Sequence, residues 1–425
     1  MTLVAVAPDW FSASGALSLS LTYSSFRDKS LSLFGRFTLN LEKMTTRMFR
    51  RCKASLITNP QSFQVGRLIG SYGFMNITSY SGSQLGLDFE TSSEGAGRLR
   101  VQDVGEGNVK IRLYEGRITQ GPLKGTPVIF KVYPGQQVGG VEADLMAANE
   151  LNAHAFLQSN SKNFTRNIQI LLGGFETKTG EQWLAFRNDG IYSAADYAKF
   201  TSKKMSKDRT LGENKFWNHF ELEQGIKRRR YFIVKLLHGA LCGLAYMHDN
   251  NRLHQSLGPA SVVLNTVVER EADYLAPQLR DLAFSVDIRY SQLDEDSGSF
   301  SEGLWRRASA AGAFTPLEKR AFGIADDIYA AGLLFAYLAF IPFCESGIMD
   351  SLSLQRLLES TFRLDLEATR EYCLADDRLL GAVKFLDLGD GAGWELLQAM
   401  LNPDFRKRPI AEAVLNHRFM TGSVL

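Results

Sequence analysis

Cysteine is scarce in this sequence, and the few cysteines lie far apart. The 425 residues include four of them, at Cys52, Cys242, Cys344 and Cys373. Their spacing fits no metal-binding motif, and a disulfide framework would need a denser set. The pattern therefore predicts free and mostly buried thiols in a reducing compartment.

The sequence also lacks an excess of one charge and a long apolar run. Its 48 Lys and Arg residues nearly balance 46 acidic residues, giving a net charge of +2, which does not point to nucleic acid or to an anionic membrane. The basic run 227–230 directly precedes an amphipathic pattern and is typical of the solvated first turn of a helix. The most apolar stretch, 329–344, is shorter than the roughly 20 residues needed to span a membrane. We therefore predict a buried core helix there, no transmembrane segment and no nucleic-acid partner.

Residues 1–54 differ in composition from the rest of the chain. The first 60 residues contain eight Lys or Arg and fifteen Ser or Thr, but only three acidic residues. This composition is typical of an organelle transit peptide, and Arg51-Cys52-Lys53-Ala54 resembles a plastid processing site. We predict a transit peptide over 1–54 and a chloroplast location, with the mitochondrion or a cytosolic tail as alternatives.

Residues 55–98 are rich in Gly, Ser and Thr, which favours a linker or an irregular extension. The alternation over 64–75 indicates that part of this segment adds a strand. Clearer β-like runs begin near Leu99. The runs that predict a five-stranded antiparallel sheet are 98–104, 110–114, 127–133, 168–173 and 182–186.

The strongest motif lies at residues 252–264, which we call the 252–264 loop. It follows an apolar pattern over 231–248 with the 3.6-residue period of a core-facing helix. The loop resembles the catalytic loop of protein kinases, H-R-D-L-K-P-x-N followed by three aliphatic residues. The positions that match are His254, Leu257, Pro259, Val262, Val263 and Leu264.

Motifs for nucleotide binding precede this loop in the order that the resemblance to kinases requires. Gly105-Glu106-Gly107 resembles the Gly-rich loop, where glycines allow backbone N–H groups to approach phosphates. The apolar run ending at Lys131 resembles the V-A-I-K strand, and Glu150 lies on the helical stretch that follows. In the family this Lys binds phosphates and the helix Glu orients it. Glu142 is an alternative partner of Lys131, and a buried ion pair without any ligand is an alternative to nucleotide binding.

Motifs after the loop complete the resemblance over residues 99–422. Asp281 stands where the family has the Asp of D-F-G, so the resemblance implies that it binds Mg²⁺. Glu318 lies in a segment similar to A-P-E, and Arg408 lies in the terminal signature, which implies an ion pair between them. Asp327 is expected to brace the backbone of the 252–264 loop, and His254 is expected to have a structural role in packing.

The resemblance implies an α+β, two-lobed protein kinase-like fold. Residues 99–190 would form a smaller lobe with an antiparallel β-sheet and one helix, and 191–425 a larger, mainly α-helical lobe. The segment 188–190 is the expected hinge between them.

The residues that perform phosphoryl transfer in this family are replaced. Ser256 stands in place of the catalytic Asp, Gly258 in place of the Lys, and Ser261 in place of the metal-binding Asn. The pKa of a serine hydroxyl lies far above neutral, so the ionised form that could accept a proton is absent and Ser256 cannot act as the general base. The sequence therefore predicts a pseudokinase, with ATP and Mg²⁺ as candidate ligands, that acts on protein partners as a scaffold or regulator. The alternative is an active, atypical Ser/Thr kinase with a base from elsewhere.

Overall fold

The computed structural model describes residues 56–77, 99–103, 109–159, 165–211, 219–289 and 301–422. All of them belong to one compact unit, Met48–Leu425. The predicted transit peptide 1–54 and the glycines Gly105 and Gly107 lie outside the described residues, so these predictions stay predictions.

An antiparallel β-sheet forms the N-terminal part of the described chain. Its strands are β1 (Phe63–Ile77), β2 (Leu99–Asp103), β3 (Ile111–Ile118), β4 (Pro127–Tyr133), β5 (Leu171–Glu176) and β6 (Gln182–Arg187). They lie in the order β2-β1-β3-β4-β6-β5, and each neighbouring pair is antiparallel. Strand β4 is buried along nearly its whole length, because its apolar and β-branched residues suit an internal strand.

The strand that the alternation over 64–75 indicated is present as β1, so the sheet has six strands rather than the five of the clearer runs. Strand β1 lies between β2 and β3, and Ile57 already forms backbone hydrogen bonds with Leu172 and Gly174 beside β5. A Cβ at Gly173 would lie 2.0 Å from the Ile57 carbonyl oxygen, so this approach requires glycine. Register shifts on either side of Leu68 interrupt the alternation of β1, which explains why the pattern there was weak.

Helix α1 (Gln136–Ser159) connects β4 to β5 and contacts both β4 and β6. It contains a break at Gly140, whose φ of 64° lies in the left-handed region, where glycine carries no Cβ penalty. The part of α1 after this break includes Glu150, which is fully buried, whereas Glu142 is exposed. The orientation of α1 therefore selects Glu150 as the residue that enters the interior.

The C-terminal part is mainly helical, as predicted. Its helices are α2 (Ala194–Leu211), α3 (His219–Asp249), α4 (Glu302–Ala310), α5 (Pro316–Phe340), α6 (Ser351–Arg356), α7 (Leu366–Leu374), α8 (Leu380–Leu386), α9 (Leu388–Met400), α10 (Ala411–Leu415) and α11 (Arg418–Gly422). Short strand pairs lie between α1 and α4, namely β7 (Tyr192–Ser193), β8 (Arg252–Leu253), β9 (Val262–Leu264), β10 (Gln278–Leu279) and β11 (Val286–Asp287). Strands β8 and β9 form the two ends of the 252–264 loop. Strand β11 pairs with β8, and β10 pairs with β9.

Helix α5 is the central helix of this part, and its burial agrees with the core helix predicted for 329–344. Together with its 3₁₀ extension it spans Pro316–Phe343, the one described helix whose length and composition would allow it to cross a membrane. However, 89% of its most apolar window is buried inside the fold. The helix thus already contacts protein on its apolar faces.

The basic run 227–230 lies inside α3, and not in its first turn as predicted, because α3 begins at His219. Arg229 forms an ion pair with Glu269, with 3.0 Å between Nε and Oε1, and donates to the Pro342 carbonyl. Lys227 pairs with Glu223 one turn earlier. At least these two side chains of the run bind to the protein itself.

Candidate functional site

The predicted ion pair between Lys131 and Glu150 is present, buried between the sheet and helix α1. Lys131 on β4 lies 2.6 and 2.7 Å from the two carboxylate oxygens of Glu150 on α1. Lys131 is 2% exposed and Glu150 is fully buried. The exposed Glu142, considered above as an alternative, is not the partner.

Asp281 is a second carboxylate on the same ammonium group. Its Oδ1 lies 2.7 Å from Lys131 Nζ, and the side chain is fully buried. Asp281 has a φ of 68°, in the left-handed region, which Asp tolerates better than most residues. This conformation precedes a 3₁₀ turn, Leu282–Phe284, so the positive φ lies at Asp281 itself and Ala283 is helical.

Two tyrosines complete the cluster, and neither was identified from the sequence as a site residue. The Tyr72 hydroxyl donates to Asp281 Oδ1 over 2.7 Å, and the Tyr133 hydroxyl donates to Glu150 Oε2. Tyr133 could have been found, because it lies two residues after Lys131 and so on the same face of β4. Tyr72 lies in the strand indicated over 64–75, where the sequence contains no motif that marks a site. We call Tyr72, Lys131, Tyr133, Glu150 and Asp281 the lysine cluster.

The charges of the lysine cluster stabilise one another. Burial alone lowers the pKa of Lys131, but the carboxylates of Asp281 and Glu150 raise it well above its ordinary value. Burial alone raises the pKa of Asp281, but Lys131 and Arg280 hold it below its ordinary value. Burial, and then the Asp281 charge, raise the pKa of Tyr72. The ammonium and the Asp281 carboxylate are therefore ionised and both tyrosines are neutral donors.

One atom of the lysine cluster fits a divalent cation. Asp281 Oδ2 is buried and accepts no hydrogen bond, and Arg280 Nε lies 3.4 Å from it. Mg²⁺ prefers oxygen ligands and is commonly held by one or two carboxylates together with substrate phosphates. Asp281 could supply one such oxygen. Over the described ranges, no group of three or more His, Cys, Asp or Glu side chains is arranged for a metal ion.

Asp327 on α5 braces the 252–264 loop, as the resemblance implied. Its Oδ2 accepts from the His254 backbone N–H over 2.7 Å and lies 3.0 Å from His248 Nε2. Its Oδ1 accepts from the backbone N–H and the side-chain amide of Gln255, over 2.9 and 3.1 Å. Burial alone raises the pKa of Asp327, but hydrogen bonding and charge from His248 hold it below its ordinary value.

The hydroxyls of Ser256 and Ser261, which replace the Asp and Asn of kinases, form hydrogen bonds with nearby backbone groups. Ser256 Oγ donates to the Asp281 carbonyl over 2.7 Å, which ties the loop to the segment after β10. Ser261 Oγ donates to the Gly258 carbonyl and accepts from the Gly258 N–H, both over 2.9 Å. A Cβ at Gly258 would meet nothing within 4 Å, so no steric contact requires glycine there.

His254 is fully buried behind these residues and has a structural role. Its Nε2 lies 3.1 Å from the Arg280 carbonyl, to which it donates, and its Nδ1 accepts from the Ser256 N–H. Burial lowers the pKa of His254, in agreement with a neutral ring that donates through Nε2. His254 therefore links the 252–264 loop to Arg280 next to Asp281.

The predicted ion pair between Glu318 and Arg408 is wrong. The Glu318 carboxylate accepts from the N–H groups of Phe314 and Thr315 and from the Thr315 hydroxyl. This is a capping box at the start of α5, in which Thr315 in turn accepts from the Glu318 N–H. Arg408 donates to the Asn402 and Ala325 carbonyls. A local cap three residues away thus engages Glu318.

Two curated kinases are similar in sequence to this chain, whereas no protein-family model matches it. Serine/threonine-protein kinase STN7, chloroplastic, from Arabidopsis thaliana is 24% identical over 217 residues, covering 47% of this chain and 37% of the relative. Calcium-dependent protein kinase 6 from Plasmodium berghei is 24% identical over 209 residues, covering 48% of this chain and 12% of the relative. The alignments thus span less than two thirds of either relative.

A solved structure shares the architecture of this chain. It is the crystal structure of a Stt7 homolog from Micromonas algae soaked with ATP, with a TM-score of 0.52 and 18% sequence identity. The match covers 88% of this chain and 96% of that one. The sheet with its single helix and the larger helical part agree with this match. The chain has the two-lobed α+β fold of the protein kinase-like superfamily and resembles a plant organellar kinase.

Proposed function

We propose that this chain is a pseudokinase, a kinase-like protein with little or no phosphoryl transfer, which acts as a scaffold or regulator in an organelle. The observation that carries the proposal is the hydrogen bond from Ser256 to the Asp281 carbonyl. Where a kinase has its general base, this chain has a buried hydroxyl that holds two backbone segments together. Loss of a general base alone commonly costs about 10²- to 10⁴-fold in rate.

Two carboxylates beside the 252–264 loop, those of Asp327 and Asp281, already accept hydrogen bonds within the described part of the chain. Asp327 accepts hydrogen bonds from three residues on one side of the loop. Asp281 Oδ1 accepts from Lys131 and Tyr72, and the lowered pKa of this carboxyl makes it a weak proton acceptor. These engagements favour the pseudokinase over an active, atypical Ser/Thr kinase, which would need a carboxylate directed at the substrate hydroxyl.

ATP with Mg²⁺ is the proposed ligand of the lysine cluster. A kinase-type site binds phosphates through its strand Lys and binds Mg²⁺ through an Asp carboxylate, and Lys131 and Asp281 have the required chemistry. The solved structure of similar fold was soaked with ATP. Ser261, in the place of the second metal ligand, is bonded to Gly258 instead, so the proposed site holds one metal ion.

A phosphoryl-transfer assay tests the pseudokinase proposal. We expect the purified 55–425 chain with Mg-ATP to transfer no γ-phosphate to itself or to a general protein substrate above the level of Asp281→Asn. This variant keeps the shape of the side chain but weakens a cation site. Transfer by the unmodified chain that disappears in Asp281→Asn would falsify the proposal and support the atypical kinase. Adding Ser256→Asp alone should restore no transfer, because Gly258 and Ser261 stay degenerate.

We also propose that the chain resides in the chloroplast and that residues 1–54 act as its transit peptide. Support comes from the hydroxyl-rich and acid-poor composition of this segment and from the chloroplastic relative. A fluorescent fusion of the full chain in leaf cells should coincide with chlorophyll emission, whereas a fusion of 55–425 should remain in the cytosol. Mitochondrial or cytosolic emission from the full-chain fusion would contradict this location.

A further inference from the structure

Every hydrogen-bond donor of the Lys131 ammonium is occupied within the protein. Its bonds to Glu150 Oε1, Glu150 Oε2 and Asp281 Oδ1 are 2.6 to 2.7 Å long, and they use all the N–H groups of an ammonium. At 2% exposure the group has almost no access to solvent. A phosphate can bind Lys131 only after one of these carboxylate contacts has been released.

Tyr72 stabilises the position in which Asp281 contacts Lys131. Its hydroxyl donates to the same Asp281 oxygen that binds Lys131, and its ring centroid lies 5.8 Å from Lys131 Nζ. The side chain is 4% exposed. Tyr72 is also the last residue of β1 that pairs with β3, opposite Ile111. From Gly73 onwards β1 pairs with β2 instead, so a rotation of the Tyr72 side chain at this changeover would carry the hydroxyl away from Asp281.

The Tyr72 hydroxyl and a metal-bound nucleotide compete for the same groups of the lysine cluster. Mg²⁺ and a phosphate would require the Asp281 carboxylate and the Lys131 ammonium. The Tyr72 hydroxyl bonds to Oδ1 of that carboxylate, and the Tyr72 ring lies beside that ammonium. A neutral hydroxyl that donates to a carboxylate forms one of the stronger hydrogen bonds in proteins. Tyr72 and Lys131 share Asp281 Oδ1, so this oxygen becomes available to a metal-bound nucleotide only when the hydroxyl has left, whereas Oδ2 accepts no hydrogen bond in either case.

We propose that Tyr72 is an internal gate of this cleft, and that Mg-ATP binds only to the conformation in which the Tyr72 side chain has left Asp281. The inference rests on the proposed function in one respect, namely that the cleft is the nucleotide site. The apparent dissociation constant then exceeds the intrinsic one by the inverse of the open fraction. Weakening the gate therefore tightens nucleotide binding.

The test is titration calorimetry of the 425-residue chain with Mg-ATP. Tyr72→Phe removes the hydroxyl and keeps the ring, and should bind Mg-ATP about tenfold more tightly than the unmodified chain, as expected from the loss of one hydrogen bond to a charged group. Tyr72→Ala, which also removes the ring, should bind at least as tightly as Tyr72→Phe. If Tyr72→Ala does not fold, Tyr72→Phe still decides the question.

Tyr114→Phe is the matched control. Tyr114 lies on β3 of the same sheet and stacks on Trp183, with ring centroids 5.1 Å apart, among the aromatic residues around Phe130. Phe130 alternates with Lys131 along β4 and so lies on the opposite face of the sheet. Loss of the Tyr114 hydroxyl should therefore leave the affinity for Mg-ATP unchanged.

The outcomes separate the gate from the proposed function. Equal affinity of the unmodified chain, Tyr72→Phe and Tyr72→Ala overturns the gate, and so does an absence of binding in all three. Tightening in Tyr114→Phe as large as in Tyr72→Phe also overturns it. None of these results bears on phosphoryl transfer, which the assay with Asp281→Asn measures independently. A tightened variant that still transfers no phosphate supports both inferences.

Discussion

Lys131→Met should lower the free energy of unfolding by about 3–5 kcal/mol, the usual cost of removing one partner from a buried ion pair. The substitution keeps the length of the side chain but leaves the carboxylates of Glu150 and Asp281 close together without their common cation. Both carboxylates are fully buried, so water cannot replace the ammonium. The change should appear as a shift of the urea midpoint with an unchanged slope.

Lys124→Met is the control for this experiment. Lys124 lies in the turn between β3 and β4 of the same sheet and its side chain is exposed, so the same loss of charge there should produce no measurable shift. A shift in Lys131→Met as small as that in Lys124→Met would contradict the assignment of Lys131 as the cation that stabilises the cluster.

The effect of Lys131→Met should also depend on pH with a defined sign. In the unmodified chain the pKa of Asp281 lies below its ordinary value, so its contribution is present at neutral pH and is lost as the pH falls through the folded pKa. In Lys131→Met the Asp281 carboxyl loses its cation, and burial and the neighbouring carboxylate raise its folded pKa. Proton uptake then stabilises the variant as the pH falls. The difference between the two chains should therefore be smaller at pH 5 than at pH 8.

The ion pair and the brace could be predicted from the sequence because short, regular elements determine them. The apolar run of β4 fixes which face Lys131 occupies, and a helical stretch of ordinary length brings Glu150 to that face. Asp327 lies in a helix that is apolar on nearly all sides, and a carboxylate there needs buried donors. For Lys131 the spacing supported the partner that the resemblance to kinases implied, with Glu142 as an alternative, and the role of Asp327 came from the resemblance.

Tyr72 and the Glu318 interaction could not be predicted, for two different reasons. Tyr72 lies 209 positions before Asp281, in a strand whose alternation is interrupted by register shifts, so its burial became visible only with the tertiary fold. For Glu318 a long-range partner was inferred from the resemblance, whereas Thr315 three residues earlier offered a local cap. Local hydrogen bonds of this kind form without the entropy cost of closing a long loop.

Asp327→Ala should lower the free energy of unfolding by about 2–5 kcal/mol. The substitution leaves the buried backbone N–H of His254 and the partly buried N–H of Gln255 without an acceptor, and each buried unsatisfied group costs about 1–3 kcal/mol. Asp327→Asn should have a smaller effect, because its amide oxygen still accepts from one of these N–H groups. Its amide nitrogen, however, cannot accept a hydrogen bond, so one of the donors that Asp327 binds loses its acceptor. Chemical denaturation of the three chains at pH 7 measures both effects.

Asp327 also predicts how acid affects the 252–264 loop. Since its folded pKa is held below the ordinary value, its stabilising contribution is complete above the unfolded pKa of about 3.9 and is lost as the pH falls through the folded pKa. Asp327→Asn lacks this titration, so the stability difference between it and the unmodified chain should shrink below about pH 4. Asp377→Asn, at an exposed carboxylate, should match the unmodified chain at neutral pH. A constant difference between Asp327→Asn and the unmodified chain across this range would show that hydrogen-bond geometry, and not the charge of Asp327, holds the loop.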